Sequence, residues 1–229
     1  MIKLIRLEWR KNNNLKYIQY AGIMTVILLL FMIMMARELE AEETIALYGK
    51  GMLDSSVELF AHMSYIIFTG VMIAAVLVSA YEKKTINLMF SYPIKRSTII
   101  LAKVCAVWIF NFLAMVVSKI VIYLVLIATK SFTGITAESI PVGDALFLLN
   151  IVLKSAAMVS ISFIALPIGL KMKSSKATIV ASVIIACLTQ GNIGSATLVN
   201  NIPFYVILFI AVAVSIYLSV YNIETKDLL

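Results

Sequence analysis

Long apolar runs dominate this sequence, six in all, and they leave few folds open. An apolar stretch of about 20 residues wound as an α-helix crosses a ~30 Å hydrocarbon core. Backbone in lipid must satisfy its own hydrogen bonds, so such runs become helices rather than open strands. The runs are Ile18–Ala36, Met63–Tyr81, Val104–Ala128, Ala145–Leu170 (cleanest over Ser155–Leu170), a fifth starting at Ala177, and Pro203–Tyr221. The expected fold class is therefore all-α: a polytopic membrane protein with six transmembrane helices, forming one domain over 1–229. Six spans consume about half of the 229 residues, so no ATPase, kinase or sensor domain fits beside them. The first run follows a basic N-terminus, as a signal peptide does. Its apolar stretch is too long for that role and Met34-Met35-Ala36-Arg37 is a poor cleavage site, so it reads as an uncleaved helix.

Charge placement orients the spans. With the N-terminus in the cytoplasm, the inside holds Lys3, Arg6, Arg10, Lys11 and Lys16, then Lys83, Lys84, Lys95, Arg96 and Lys103. Lys171, Lys173, Lys176 and Lys226 complete the set of fourteen. The outside holds only Arg37, Lys50, Lys130 and Lys154. That asymmetry recurs at every loop and places both termini in the cytoplasm. It also explains the net charge of +7 without nucleic acid, because the basic residues flank apolar runs. Eight of the twelve acidic residues fall outside, most of them in Glu38–Glu58, which reads as a solvated loop. Lys119 is then the one charge well inside a span, about 22 Å along its helix from Val104. It either faces a cavity or partner or snorkels to the outer headgroups.

The fifth run is the short one. Ala177–Thr189 is 13 residues, about 20 Å of helix, and Gln190-Gly191-Asn192-Ile193-Gly194 follows without a charge. Either the helix runs on, or residues 190–202 dip into the outer side; the glycines and amides favour the dip. The fourth run is rich in small residues, Ser155, Ala156, Ala157, Ser160, Ser162 and Ala165, which suits close helix packing first and a polar lining second. Pro167 and Gly169 are expected to bend its inner end. Lys119, Ser160, Gln190 and Asn192 are the polar candidates for a path across the membrane.

Catalytic signatures are missing. There is no phosphate-binding GxxxxGK[ST], HExxH, GxSxG or dinucleotide fingerprint. Cys105 and Cys187 lie in apolar runs outside any CxxC and read as small buried hydrophobes. His62 is the only histidine, too little for a metal site or a histidine relay. The N-terminal stretch 1–17 places Ile2, Ile5 and Trp9 on one helical face and Lys3, Arg6 and Arg10 on another. It is expected to lie in the membrane interface.

The most informative stretch is the inner loop Tyr81–Lys103. Ile86, Met89 and Phe90 stand at i, i+3, i+4 and share one face of a short amphipathic helix. Tyr92-Pro93 ends it, because a residue before proline is pushed out of the helical region. A short helix with an apolar knob, held between two spans, suits a groove on a soluble partner.

Here the sequence resembles the permease subunits of ABC-2 type ABC exporters. In those proteins a Glu and a Thr close the second helix, then come a hydrophobic stretch, a Pro, a basic residue and a Lys opening the third helix. Glu82, Thr85, Pro93, Arg96 and Lys103 follow that order. The resemblance implies that residues 82–96 are a coupling helix docked on an ABC ATPase subunit. Met89 and Phe90 would fill its groove, Arg96 would meet its surface, and Glu82 would brace the loop. It implies a lesser ATPase contact from 171–176 through Lys173, and an elbow helix at 1–17. It further implies a second permease, as homodimer or sister chain, in a bacterial plasma membrane. This chain would carry no cofactor; ATP and Mg2+ would belong to the partner ATPase. Compact permeases of this kind resemble exporters of antimicrobial or toxin peptides, so a hydrophobic or amphipathic substrate is expected. The alternative is a stand-alone membrane immunity or scaffold protein without ATP coupling.

Overall fold

A computed structural model describes residues 14–39, 52–82, 96–129, 145–190, 192–193, 196–197, 207–217 and 219. Six apolar helical segments stand among them. Helix α1 is Asn14–Leu39; α2 is Met52–Ile73, continued by a five-residue π-helical turn, Ala74–Val78, into α3, Ser79–Glu82. Helix α4 is Arg96–Ala128, α5 Ala145–Ser162, α6 Ala165–Met172, α7 Ser175–Thr189 and α8 Ile207–Tyr217. Four stretches are long and apolar enough to cross a membrane: Leu15–Ala36, Met52–Glu82, Thr98–Ala128 and Ala145–Met172. Helices α7 and α8 are shorter.

The second span begins at Met52 rather than at the expected Met63. Asp54 and Glu58 had excluded the intervening stretch from the apolar run, yet Leu53, Val57 and Ala61 are each buried at helical spacing and carry the acids with them. Residues 14–17 belong to α1; the rest of the stretch expected to form the elbow helix lies outside the described residues.

The fourth span breaks where proline chemistry predicts. Pro167 has no N–H to return to the carbonyl of Phe163, and tight turns replace the regular ladder there. Phe163 N–H and Ile164 N–H donate three residues back, to Ser160 and Ile161. The released Phe163 carbonyl accepts from Leu166 N–H at 3.1 Å and from the Ser215 hydroxyl of α8 at 2.7 Å.

The fifth helix does not run on. It stops at Thr189, Gln190 N–H closes the last turn on Ala186, and a minimal antiparallel ladder follows, Asn192 opposite Thr197 and Ile193 opposite Ala196. At its start, Lys173 takes a left-handed φ of 47°. Lys173 N–H bonds the Leu170 carbonyl and Ser174 N–H the Gly169 carbonyl, which ends α6 in a Schellman turn. Ser174 then caps α7 by accepting from Ala177 N–H at 3.5 Å.

The chain divides into two compact units. One comprises Leu15–Ser64 and Leu113–Ser155. Its core is Leu28, Met32 and Ala36 of α1 with Leu53, Val57, Ile122, Tyr123, Leu126 and Ile151. Phe31 meets Phe60 edge-on at 4.8 Å, and Tyr123 meets Phe147 at 5.2 Å. Between its polar ends α1 exposes large apolar side chains, Ile23, Ile27, Leu30 and Met34 among them, as a lipid-facing helix requires.

The other unit comprises Met1–Asn14, Tyr65–Phe112 and Ala156–Leu229. Here α7 lies against α6 and the π-helical turn. Its small residues Thr178, Ser182 and Ala186 are buried at four-residue spacing, while Val180, Ile184 and Leu188 are exposed. Gly70 and Gly169 make this contact possible: a Cβ on Gly70 would land on the Ser182 side chain, and one on Gly169 on that of Thr178.

Candidate functional site

Two polar constellations stand out, one in each unit. In the unit containing Tyr65–Phe112, the π-helical turn shifts the hydrogen-bond register of the second span, with Ser79 N–H returning to the Ala74 carbonyl. The Val76 carbonyl accepts from Lys103 Nζ of α4 at 3.1 Å. Lys103 is only 5% exposed, so a residue that reads in sequence as a topology charge is a buried brace. One turn beyond, Glu82 Oε2 accepts both the Ser175 hydroxyl, at 2.6 Å, and the Ser175 backbone N–H, at 3.2 Å. Ser175 opens α7, where N–H groups have no intrahelical acceptor and the helix dipole favours a carboxylate. The end of the second span and the start of the fifth helix are thus tied by one side chain.

The sequence-predicted coupling residues divide accordingly. Glu82 ends α3 and Arg96 begins α4; Thr85, Met89, Phe90 and Pro93 lie outside the described residues. Lys173 is exposed at the turn before α7. Of the path candidates, Ser160 accepts from Trp108 Nε1 at 3.0 Å and donates to the Ala156 carbonyl. Gln190 caps α7, and its buried Nε2 finds no acceptor among the described residues. Asn192 sits in the short ladder. Lys119 belongs to the other unit.

There it is the centre of a buried charge cluster. Lys119 is 0% exposed, which removes the snorkelling alternative. Its Nζ bonds His62 Nε2 at 2.9 Å and stands 3.9 Å from Glu58 Oε1. The other Glu58 oxygen takes Lys154 Nζ of α5 at 2.5 Å. Next to this group Tyr123 donates to Asp54 at 2.5 Å, in the first turn of α2. An ammonium that donates to Nε2 fixes the His62 proton on Nδ1, which is buried without a partner among the described residues. Glu58 lies about 9 Å from the start of α2, Lys119 about 14 Å from the Ala128 end of α4, and Lys154 about 12 Å from the Ser162 end of α5. Lys119 is thus not the one charge within a span: Glu58 and Lys154, expected in solvent, lie on helices and join it.

The sequence did carry a signal for this cluster. Asp54, Glu58 and His62 recur every four residues, as do Lys119 and Tyr123, so each set projects from one face of its helix.

Such a molecule is a polytopic helical membrane protein whose polar groups pair between helices. The chain belongs to the ABC-2 family of transporter proteins: the profile described as "ABC-2 family transporter protein" matches residues 4–190. The chain is 31% identical over 121 residues to a Bacillus subtilis (strain 168) protein named "Uncharacterized protein YcbO". The match covers 53% of this chain and spans about half the relative's length, 53%. No solved structure matches.

Proposed function

We propose that this chain is the permease of an ABC exporter in a bacterial plasma membrane, with both termini cytoplasmic. It works with a separate ABC ATPase subunit and a second permease, a copy of itself or a sister chain, among membrane lipids and without nucleic acid. ATP and Mg2+ belong to the ATPase, since this sequence has no phosphate-binding loop. The substrate is a hydrophobic or amphipathic molecule, an antimicrobial or toxin peptide being the class that compact permeases of this type resemble. The observation that carries the reading is the family match over residues 4–190, which includes the whole stretch from Glu82 to Arg96. ATP-driven closure of the ATPases pushes on that stretch and rocks the membrane halves. Ser160, Gln190 and Asn192 line the path between them. Lys119, whose charge is already met by Glu58 and His62, shapes its wall.

The double substitution Met89→Asp with Phe90→Asp tests the coupling assignment. Two carboxylates in an apolar groove each carry a desolvation penalty of several kcal/mol, so the ATPase should no longer co-purify in mild detergent. An ATPase bound and stimulated as by the wild type would refute the assignment.

Lys173 supports its role as a lesser ATPase contact by its backbone. At φ 47° a non-glycine residue is strained, and glycine is the ordinary occupant of such a helix terminus. Lys173→Gly is expected to raise thermal stability by about 1 kcal/mol while weakening ATPase association in a salt-dependent manner. Association unchanged at low salt would leave Lys173 a topology charge only.

A further inference from the structure

We infer that the Glu82–Ser175 contact is the joint by which a push on residues 83–95 moves the fifth helix, which makes Ser175 a positioning residue for the transport cycle. The inference rests on the permease reading above. Glu82 is the last residue of the second span before the segment expected to dock on the ATPase. Its carboxylate holds Ser175 by the hydroxyl and by the backbone N–H together, so it grips the helix itself and not just a side chain.

The route into Glu82 is stiff. Only the first three residues of α3 separate it from the π-helical turn, and Lys103 pins that turn at Val76. The route out is stiff as well. Helix α7 is seated with Ser182 against Gly70 and Thr178 against Gly169, with no room for one added carbon at either glycine. It is joined to α6 by a turn of two residues, Lys173 and Ser174, both hydrogen-bonded to the end of α6. A displacement arriving at Ser175 therefore carries α7 as a body toward Gln190 and the ladder beyond it.

The contact is exposed, so water competes for both partners and its net stabilisation is small. That suits a joint made and released in a cycle. Ser175 reads in sequence as one residue of a basic turn; its tie to Glu82, 93 positions away, emerges only from the fold.

The experiment uses the full chain with its co-purified ATPase in lipid nanodiscs. Leu188, exposed on α7, is changed to Cys in a background of Cys105→Ala and Cys187→Ala. The rate of maleimide labelling at this site is read with and without MgATP, per bound ATPase. MgATP is expected to change the rate in otherwise wild-type protein. Ser175→Ala should shrink that change roughly five-fold, and Ser175→Thr, which keeps the hydroxyl, should restore it. A full MgATP response in Ser175→Ala would overturn the joint and leave the permease reading standing. A loss that Ser175→Thr fails to restore would also overturn it, marking damage to α7 instead of a missing hydroxyl. No co-purified ATPase, or no response in wild type, would overturn the permease reading and the joint with it.

Discussion

Glu58→Gln should destabilise the protein by about 3–5 kcal/mol, the usual cost of removing one partner from a buried ion pair. Two lysines converge on this carboxylate, one per oxygen. The Lys119 side chain is 0% exposed and that of Lys154 is 32% exposed, so only Lys154 can turn to water when Glu58 loses its charge. Lys119 would keep His62 alone. The order of effects follows: Glu58→Gln and Lys119→Met large, Lys154→Met under about 1 kcal/mol. Combining Glu58→Gln with Lys119→Met should recover much of the loss, because a buried pair can often be replaced by uncharged groups at little cost. Thermal unfolding of the four variants in nanodiscs decides the matter. Wild-type stability in Glu58→Gln, or strict additivity in the double variant, would show that the cluster does not act as a pair.

This cluster also shows where reading the sequence stops. Asp54 and Glu58 interrupt the apolar run of the second span and so read as loop residues, while Lys154, although inside the run Ala145–Leu170, counts among the outer charges. The same residues taken at helical spacing belong to helices: Leu53, Val57 and Ala61 are the buried stripe of α2, and the acids ride beside it. Charges are tolerated there because each finds an opposite charge or a polar donor on another helix. That pairing depends on tertiary contacts, so the run lengths in the sequence could reveal Lys119 but not what neutralises it.

The number and order of the apolar helices were legible because lipid imposes a length and forbids open backbone. So was the break near Pro167, which follows from a missing N–H, although the Ser215 hydroxyl that donates to the released Phe163 carbonyl lies 52 residues from it. The short fifth helix was legible as short, and its amides and glycines as the end of regular structure. Its packing was not. The fourth run shows a small-residue stripe in the sequence, and its Ser155, Ala157, Ser162 and Ala165 are buried; α7 carries a second one in Thr178, Ser182 and Ala186. Serine and threonine look polar in a hydropathy profile; at four-residue spacing they are the flat side of a helix.

Gly70→Ala tests that flat side with a single carbon. Most Gly→Ala changes within a helix are favourable, by up to about 1 kcal/mol, since alanine loses less backbone entropy. At Gly70 the new Cβ would overlap both the Oγ and the Cβ of Ser182. A hydroxyl can rotate away, but a Cβ is fixed to the backbone, so α7 itself would have to retreat. Retreat is opposed at its start by the Schellman turn at Lys173 and by Thr178 seated on Gly169. Overpacking a tight contact costs about 1–3 kcal/mol, which outweighs the propensity gain, so the sign of the usual effect should reverse. Gly70→Ala combined with Ser182→Gly moves the missing side chain to the other helix and should regain the packing, less the intrinsic cost of glycine in α7. Unfolding midpoints of the two variants, beside Gly22→Ala, give the comparison, since nothing lies within 4 Å of a Cβ at Gly22. Gly22→Ala should be neutral or stabilising. A Gly70→Ala variant that tracks it would mean that α7 is not held against α2 at this point.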